Sequence, residues 1–596
     1  MGATARRNIP GLVAGLCLGL LALGPGLRRG FLLSYDMVFV PREPFAAALP
    51  GLSPPRAVPS GLFVAAVSRA IPADVVQKLV LLAIFVLGCA GVAALLDREP
   101  LLARLAGGVF YAWNPYVGER LIIGQWALLL GYAGLPWVLR AVLYAGQARW
   151  RWAGRLCLSL VPAVIGGFAA MAITALVVVP VALLTYSARR VAIALAALAV
   201  GSLPWLIPSL QHAVYADPAG VAAFAARADT PFGTIGSLLM LGGGWNAQTV
   251  PKAYGGGWSA LWLVIVIAAV GGYLGGALRA RAGWPGEARW PGEARWPGEA
   301  GWPGEAGRRR WPGLGVAAAV GLLIACIGVT AAGRDLLRAV TGAFPGAAVL
   351  RDGQQFVAPL ALLEATGFGV AVAWAMNPGS FGIRKGERER ERERLAGAAV
   401  TGAAVGRKLG PEGGTNATGA VTGQQLGRPG GAGAAGVVTG TFALLAPVLL
   451  LPGLAWGAAG RLQPAWYPAG WLAAARMVDA SPAGGDVLLL PWQTYRTPSW
   501  NRGEAMFDPW SLLLSRPVIW NDGTRVGDVE LAPDDPRARR LDGVIRGGGP
   551  LTASLRAAGV RFVLDDQDGP GQVGARLPGA VVLVSQPGLI VYRLPG

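Results

Sequence analysis

Residues 75–96 read VVQKLVLLAIFVLGCAGVAALL, an apolar run broken only by Gln77 and Lys78 near its start. At 1.5 Å of rise per helical residue such a run covers about 33 Å, and a bilayer core about 30 Å thick needs roughly 20 apolar residues. A helix apolar on every side belongs in lipid or in the centre of a large core. Further runs of similar character recur at about 9–27, 101–117, 125–146, 153–169, 171–187, 191–209, 257–278, 313–332, 356–376 and 437–457. The sequence therefore predicts an all-α membrane protein, a polytopic bundle of about 11 transmembrane helices.

Composition agrees. Of 596 residues, 54% are hydrophobic and only 14% are charged, and the mean hydropathy is +0.48, which excludes an ordinary soluble globule. The formal charge of +19 does not point to nucleic acid, because the arginines sit in the breaks between apolar runs. With a cytoplasmic N-terminus, the inner breaks hold Arg98 and Arg104, Arg149, Arg151 and Arg155, Arg189 and Arg190, Arg279 and Arg281, Arg308 to Arg310, and Arg384 with Lys385. Every inner loop is then basic, as lipid topology requires, and the C-terminus emerges outside. This holds only if 153–187 forms two helices that turn at Gly166-Gly167. The first run lacks a small-residue cleavage site and reads as an uncleaved helix. Cys17, Cys89, Cys157 and Cys326 fall inside apolar runs, without metal-ligand spacing, and read as small core residues.

Two units follow: a membrane domain over 1–457 and an extracytoplasmic α/β domain over 458–596. The membrane domain carries two expected disordered cytoplasmic inserts. In 279–312, Trp-Pro-Gly-Glu-Ala repeats every six residues from Trp284, Trp290, Trp296 and Trp302, and 383–435 joins an alternating Glu/Arg run to a Gly/Ala/Thr-rich stretch. The sequon at Asn416 falls on the inner side. In the tail, Val487–Leu490, Val518–Trp520, Val560–Leu564, Val581–Val584 and Leu589–Tyr592 read as strands, and Leu551–Ala558 as a helix feeding the third.

No phosphate loop, nucleophile elbow or zinc signature is present. Candidate chemistry lies where spans meet the outer loops. Asp36 follows the first span and reads as a general base at a partly dehydrated rim or as a solvated loop acid, with Glu43 close behind. Glu119 and Arg120, in the expected turn between the third and fourth spans, either grip a phosphate-linked substrate or pair with each other. Arg351 and Asp352 enter the tenth span, as a phosphate contact or a helix cap. Glu364, two turns deeper, is an ionisable group inside a span, where such groups usually face a polar cavity. His212, the single histidine, reads as structural. Asp565, Asp566 and Asp568 lack the spacing of a calcium loop.

The stretch Tyr111-Ala112-Trp113-Asn114-Pro115-Tyr116, with Glu119-Arg120, Gly124-Gln125-Trp126, Gly131-Tyr132-Ala133 and Pro136-Trp137, resembles the membrane part of the cell-envelope α-(1→3)-arabinofuranosyltransferases. Leu350–Phe356 and Leu488–Trp492 are similar to that family and to related many-span GT-C-like proteins. The resemblance implies inverting transfer of a sugar from a polyprenyl-phosphate donor, entering from the lipid bilayer, to an envelope glycan outside. It places the acidic residue of the first outer loop at Asp36. That acid is often paired in GT-C enzymes, whereas Met37 follows here and the nearest second acid is Glu43, so no cofactor is implied with certainty and a divalent cation stays possible. A transporter of lipid-linked glycans and a non-catalytic assembly protein are the competing classes; only Glu364 clearly supplies the polar span interior a transporter needs.

Overall fold

The structure is a computed structural model describing residues 3–48, 58–144, 148–211, 217–281, 303–377, 433–566 and 572–596. The opening stretch forms α2 (Ala73–Leu95), which crosses α1 (Ala3–Leu23) closely enough that a Cβ on Gly15 would lie 2.7 Å from the Phe85 carbonyl oxygen. The two polar residues of that stretch have a task. Gln77 bonds both the amide and the carbonyl of Leu32 at 2.8 Å, and Lys78 donates to the Gly30 carbonyl. Together with the Arg29–Asp74 ion pair, they fix the start of the segment that follows α1.

Then come α3 (Leu101–Ala112), α4 (Pro115–Ile123), α5 (Trp126–Leu143), α6 (Arg149–Gly166), α7 (Phe168–Thr185) and α8 (Ala188–Gln211). The turn between α6 and α7 falls at Gly167, whose φ of +77° suits glycine. The chain continues through α9 (Trp258–Arg281), α10 (Pro303–Ile327), α11 (Ala331–Ala343), α12 (Ala358–Met376) and α13 (Ala434–Leu450). Helix α12 is the hub, buried almost throughout. It meets α9 without room for side chains: a Cβ on Gly367 would lie 2.0 Å from the Ala269 carbonyl oxygen. Outward, Leu158, Val200, Leu210, Val264 and Phe442 are bare, as lipid-facing residues are.

Three expectations need correction. Among the described residues seven helices are long and apolar enough to cross a bilayer, or nine if the bent pairs α10–α11 (94°) and α13–Pro452–Gly460 (62°) each count once, rather than about 11. Part of the difference is the expected third span, which stops at Ala112 because Asn114-Pro115 starts a new helix. Cys17 and Cys157 lie on outer helix faces, where lipid accommodates a thiol as readily as a core does, and only Cys89 is fully buried. Helix also occupies both ends of the expected 279–312 insert, while 282–302, the 383–432 part of the second insert, Asn416, His212 and Asp568 lie outside the described residues.

The tail holds a five-stranded sheet in the order β8-β9-β7-β3-β6, with β3 (Asp486–Leu490), β6 (Val518–Ile519) and β7 (Val560–Asp565) parallel and the hairpin β8 (Val581–Gln586) to β9 (Leu589–Arg593) added antiparallel. The expected strands are all present, as is the helix before β7, at Thr552–Ala557. Arg496 is buried between Asp508 (2.9 Å) and Asp566 (2.6 Å), so Asp566 is held by a cation of the protein itself.

The segment that follows α1 is sewn into this tail. Strand β1 (Phe31–Leu32) pairs antiparallel with β2 (Pro464–Ala465). Further on, the Tyr35 amide donates to Ala505 (2.7 Å), the Phe507 amide to Tyr35 (2.8 Å), and the Tyr467 hydroxyl to the Phe39 carbonyl (2.9 Å).

Candidate functional site

The site begins with a broken helix. The Asn114 side chain accepts from the Val117 amide (3.1 Å) and donates to the carbonyls of Phe110 and Tyr111 (3.0 and 2.8 Å), closing α3 and capping α4 at once. Pro115 is suited to the first helical position, and Gly124 ends the helix at φ +87°. At 9 residues α4 is too short to cross a bilayer, and it is buried along its whole length. Glu119 and Arg120 are thus not in a loop turn but on a buried half-helix, 2% and 4% exposed.

They line a pocket of about 240 Å³, its open mouth included, with Gln125, Trp245, Asp352 and Gln354. The Arg120 guanidinium lies 3.7 Å from the Tyr116 ring centroid, and its Nη1 is 4.0 Å from Glu119 Oε2. A Cβ on Gly244 would stand 2.5 Å from the same Glu119 oxygen. The run Gly242-Gly243-Gly244 therefore brings bare backbone against the acid, and the Gly243 amide donates to the Asp229 carboxylate beside it. Burial, and then the neighbouring Asp229, hold the Glu119 carboxyl well above the usual range. Burial raises Asp229 and Asp352 too, although Arg120 and Arg351 pull Asp352 back. Two adjacent buried carboxyls share a proton more readily than both ionise. The pocket can therefore offer carboxyl donors and acceptors to sugar hydroxyls, and one guanidinium to an anion.

Asp36 is not among the lining residues, but its backbone is tied to one of them. Its amide donates to the carbonyl of Ile123, a lining residue, at 3.0 Å, and Ser34 Oγ donates to the Ile122 carbonyl at 2.6 Å. Its exposed carboxylate accepts from the Tyr495 hydroxyl at 2.7 Å. Arg351 stands behind the lining, its guanidinium 4.8 Å over the Phe224 ring, which packs edge-on against Trp245. Glu119, Arg120 and Asp352 thus line one pocket, with the Asp36 backbone bonded to the lining residue Ile123 and Arg351 packed on Phe224 against Trp245.

Glu43 and Glu364 stand apart from the lining. Glu43 is buried, its Oε1 without a hydrogen bond, and burial pushes its carboxyl up to about 8. Glu364 is fully buried in α12 and is not among the residues that line the pocket. Among the described residues no three acids, cysteines or histidines are placed to hold a metal ion. With Arg120 between Glu119 and Asp352, the residues present do not form a cation cage. Sequence reasoning missed Asp229, Gln125 and Tyr495; the glycine triplet at 242–244 was the available signal that something approaches closely there.

No protein-family model matches the chain, and no curated protein matches it in sequence. Among solved structures, the cryo-EM structure of the arabinofuranosyltransferase AftD from Mycobacteria matches over 100% of this chain, with a TM-score of 0.54 at 16% identity. A mutant of the same protein matches in two classes at 0.52 and 0.51. The fold is shared. The chain covers 40% of the length of that transferase. The many-helix bundle with a small C-terminal sheet-containing unit expected from the sequence is the fold observed and shared with that structure.

Proposed function

We propose that this protein is a membrane glycosyltransferase that moves a sugar from a polyprenyl-phosphate donor to an extracytoplasmic envelope glycan, with the pocket and the tail on the outer face. The observation that carries the reading is the buried Arg120 among carboxyls in a pocket whose lining residue Ile123 bonds the Asp36 backbone, within a fold shared with an arabinofuranosyltransferase. In this reading Asp36 takes the proton of an acceptor hydroxyl as its oxygen bonds the anomeric carbon. The bond to phosphate breaks on the opposite face, and its electron pair leaves with the polyprenyl phosphate, whose charge Arg120 meets, with Arg351 behind. Glu119 and Asp352 hold sugar hydroxyls. Glu364 and Glu43 shape the surrounding core and loop without touching substrate.

The test is transfer by the purified full chain in lipid nanodiscs, from radiolabelled polyprenyl-phosphate arabinofuranose to an arabinan oligosaccharide. Wild-type transfer that Asp36→Asn abolishes, with melting and insertion intact, supports the reading. Wild-type transfer unchanged in Asp36→Asn removes the assigned base. Labelled donor crossing the bilayer without transfer would make the protein a transporter.

A further inference from the structure

The tail does more than sit beside the segment that follows α1: it reaches the carboxylate to which catalysis is assigned. Tyr495, on β4 (Tyr495–Arg496), donates its hydroxyl to Asp36 Oδ1 at 2.7 Å, across 459 residues of sequence. The geometry around this bond is over-determined. Strand β4 pairs with β5 (Met506–Phe507), Met506 bridges to Tyr35, and the Tyr35 backbone bonds on both sides to Ala505 and Phe507. The Tyr35 ring meets the Tyr495 ring edge-on at 5.8 Å, and Tyr35 itself has a φ of +44°, a conformation a non-glycine residue keeps only when its surroundings hold it. On the other side, the Asp36 amide is tied to α4 through Ile123. Asp36 is thus held from below by the membrane helices and from above by one tyrosine of the tail.

We infer that Tyr495 is a positioning residue for the transfer reaction, fixing the plane of the Asp36 carboxylate toward the acceptor hydroxyl, so that the site is completed by the C-terminal unit. The inference rests on the reading of Asp36 as the base. A carboxylate that swings freely meets a hydroxyl in few of its orientations. One charge-assisted hydrogen bond restricts it to a working subset. Because the tyrosine touches the acid and not the donor lipid, it governs the rate of the chemical step and not donor affinity.

The experiment compares Tyr495→Phe with Tyr35→Phe, full chain in nanodiscs, using the donor and acceptor above. Tyr35→Phe removes a hydroxyl from the same seam, one bonded to Gln248 rather than to Asp36. The expected result is a fall in kcat of roughly tenfold for Tyr495→Phe, the size set by loss of one charge-assisted bond, with the donor KM within about twofold of wild type. Tyr35→Phe keeps its kcat. An unchanged kcat in Tyr495→Phe overturns the inference, as does an equal fall in both variants, which would mark the seam as merely structural. If Asp36→Asn transfers normally, the base assignment fails and this inference with it. If Asp36→Asn is inactive while Tyr495→Phe is normal, only the inference fails.

Discussion

Gly124→Ala perturbs the joint on which the account depends. Gly124 ends α4 at φ +87°, where an alanine pays about 1–2 kcal/mol for the left-handed backbone. Its new Cβ would lie 2.1 Å from the Met37 amide nitrogen, 2.6 Å from the Ser34 carbonyl oxygen and 2.8 Å from the Asp36 carbonyl carbon. All three are backbone atoms, so no side chain can swing away, and overpacking of this kind adds about 1–3 kcal/mol. The total, about 2–5 kcal/mol, acts on the loop that carries Asp36. The protein can relieve it by pushing residues 34–37 off α4, which moves Asp36 away from the lining residue Ile123. Thermal melting in detergent together with transfer per folded molecule reads both effects. The melting temperature should drop by several degrees, and transfer by the remaining folded protein should fall at least tenfold. A variant that melts and transfers like wild type would refute the placement of the loop against Gly124.

Three further outcomes follow from the same geometry. Arg120→Gln should raise the donor KM by roughly ten- to a hundredfold, because one buried cation meets the phosphate charge, while acceptor KM changes little; steady-state kinetics check it. The Glu43 carboxyl rests at about 8 in the folded protein against an ordinary 4.5, so its contribution to stability is complete at low pH and is lost as pH rises from about 4.5 to 8. Glu43→Gln should therefore flatten the fall in melting temperature over that window and melt above wild type at pH 8. Gly367→Val should yield little monodisperse protein by size-exclusion chromatography, since the Ala269 carbonyl leaves no space for a side chain between α9 and α12.

Much of the fold was legible because lipid imposes a coarse rule: long apolar runs are helices. The stretch 75–96 and the turn at Gly166-Gly167 were readable on that basis, and the tail strands through their β-branched runs. What failed was counting. A helix broken at Asn114-Pro115 is hard to see in hydropathy averaged over a span-length window, because apolar residues flank the break on both sides, and the cap geometry is what separates α3 from α4. The same blindness placed Glu119 and Arg120 in a turn between two spans. Candidate residues were legible where an ionisable group interrupts an apolar setting, as at Asp36, Glu119, Arg120 and Asp352. Asp229 and Tyr495 were not, because each lies in an ordinary polar loop or strand and gains its place only through contacts 110 and 459 residues away in sequence. Glu364 was legible as an acid inside a span, and the structure places it on the buried helix α12, outside the lining of the pocket described above.

The most direct test is where the donor phosphate binds. A polyprenyl phosphate bearing a photoreactive group next to its phosphate, cross-linked to the wild-type chain in nanodiscs and mapped by mass spectrometry, should label peptides containing Glu119–Gln125 and Val349–Gln354, and labelling should fade in Arg120→Gln. Labelling confined to other outer segments, or unaffected by that substitution, would contradict the assignment of this pocket to the lipid-linked sugar.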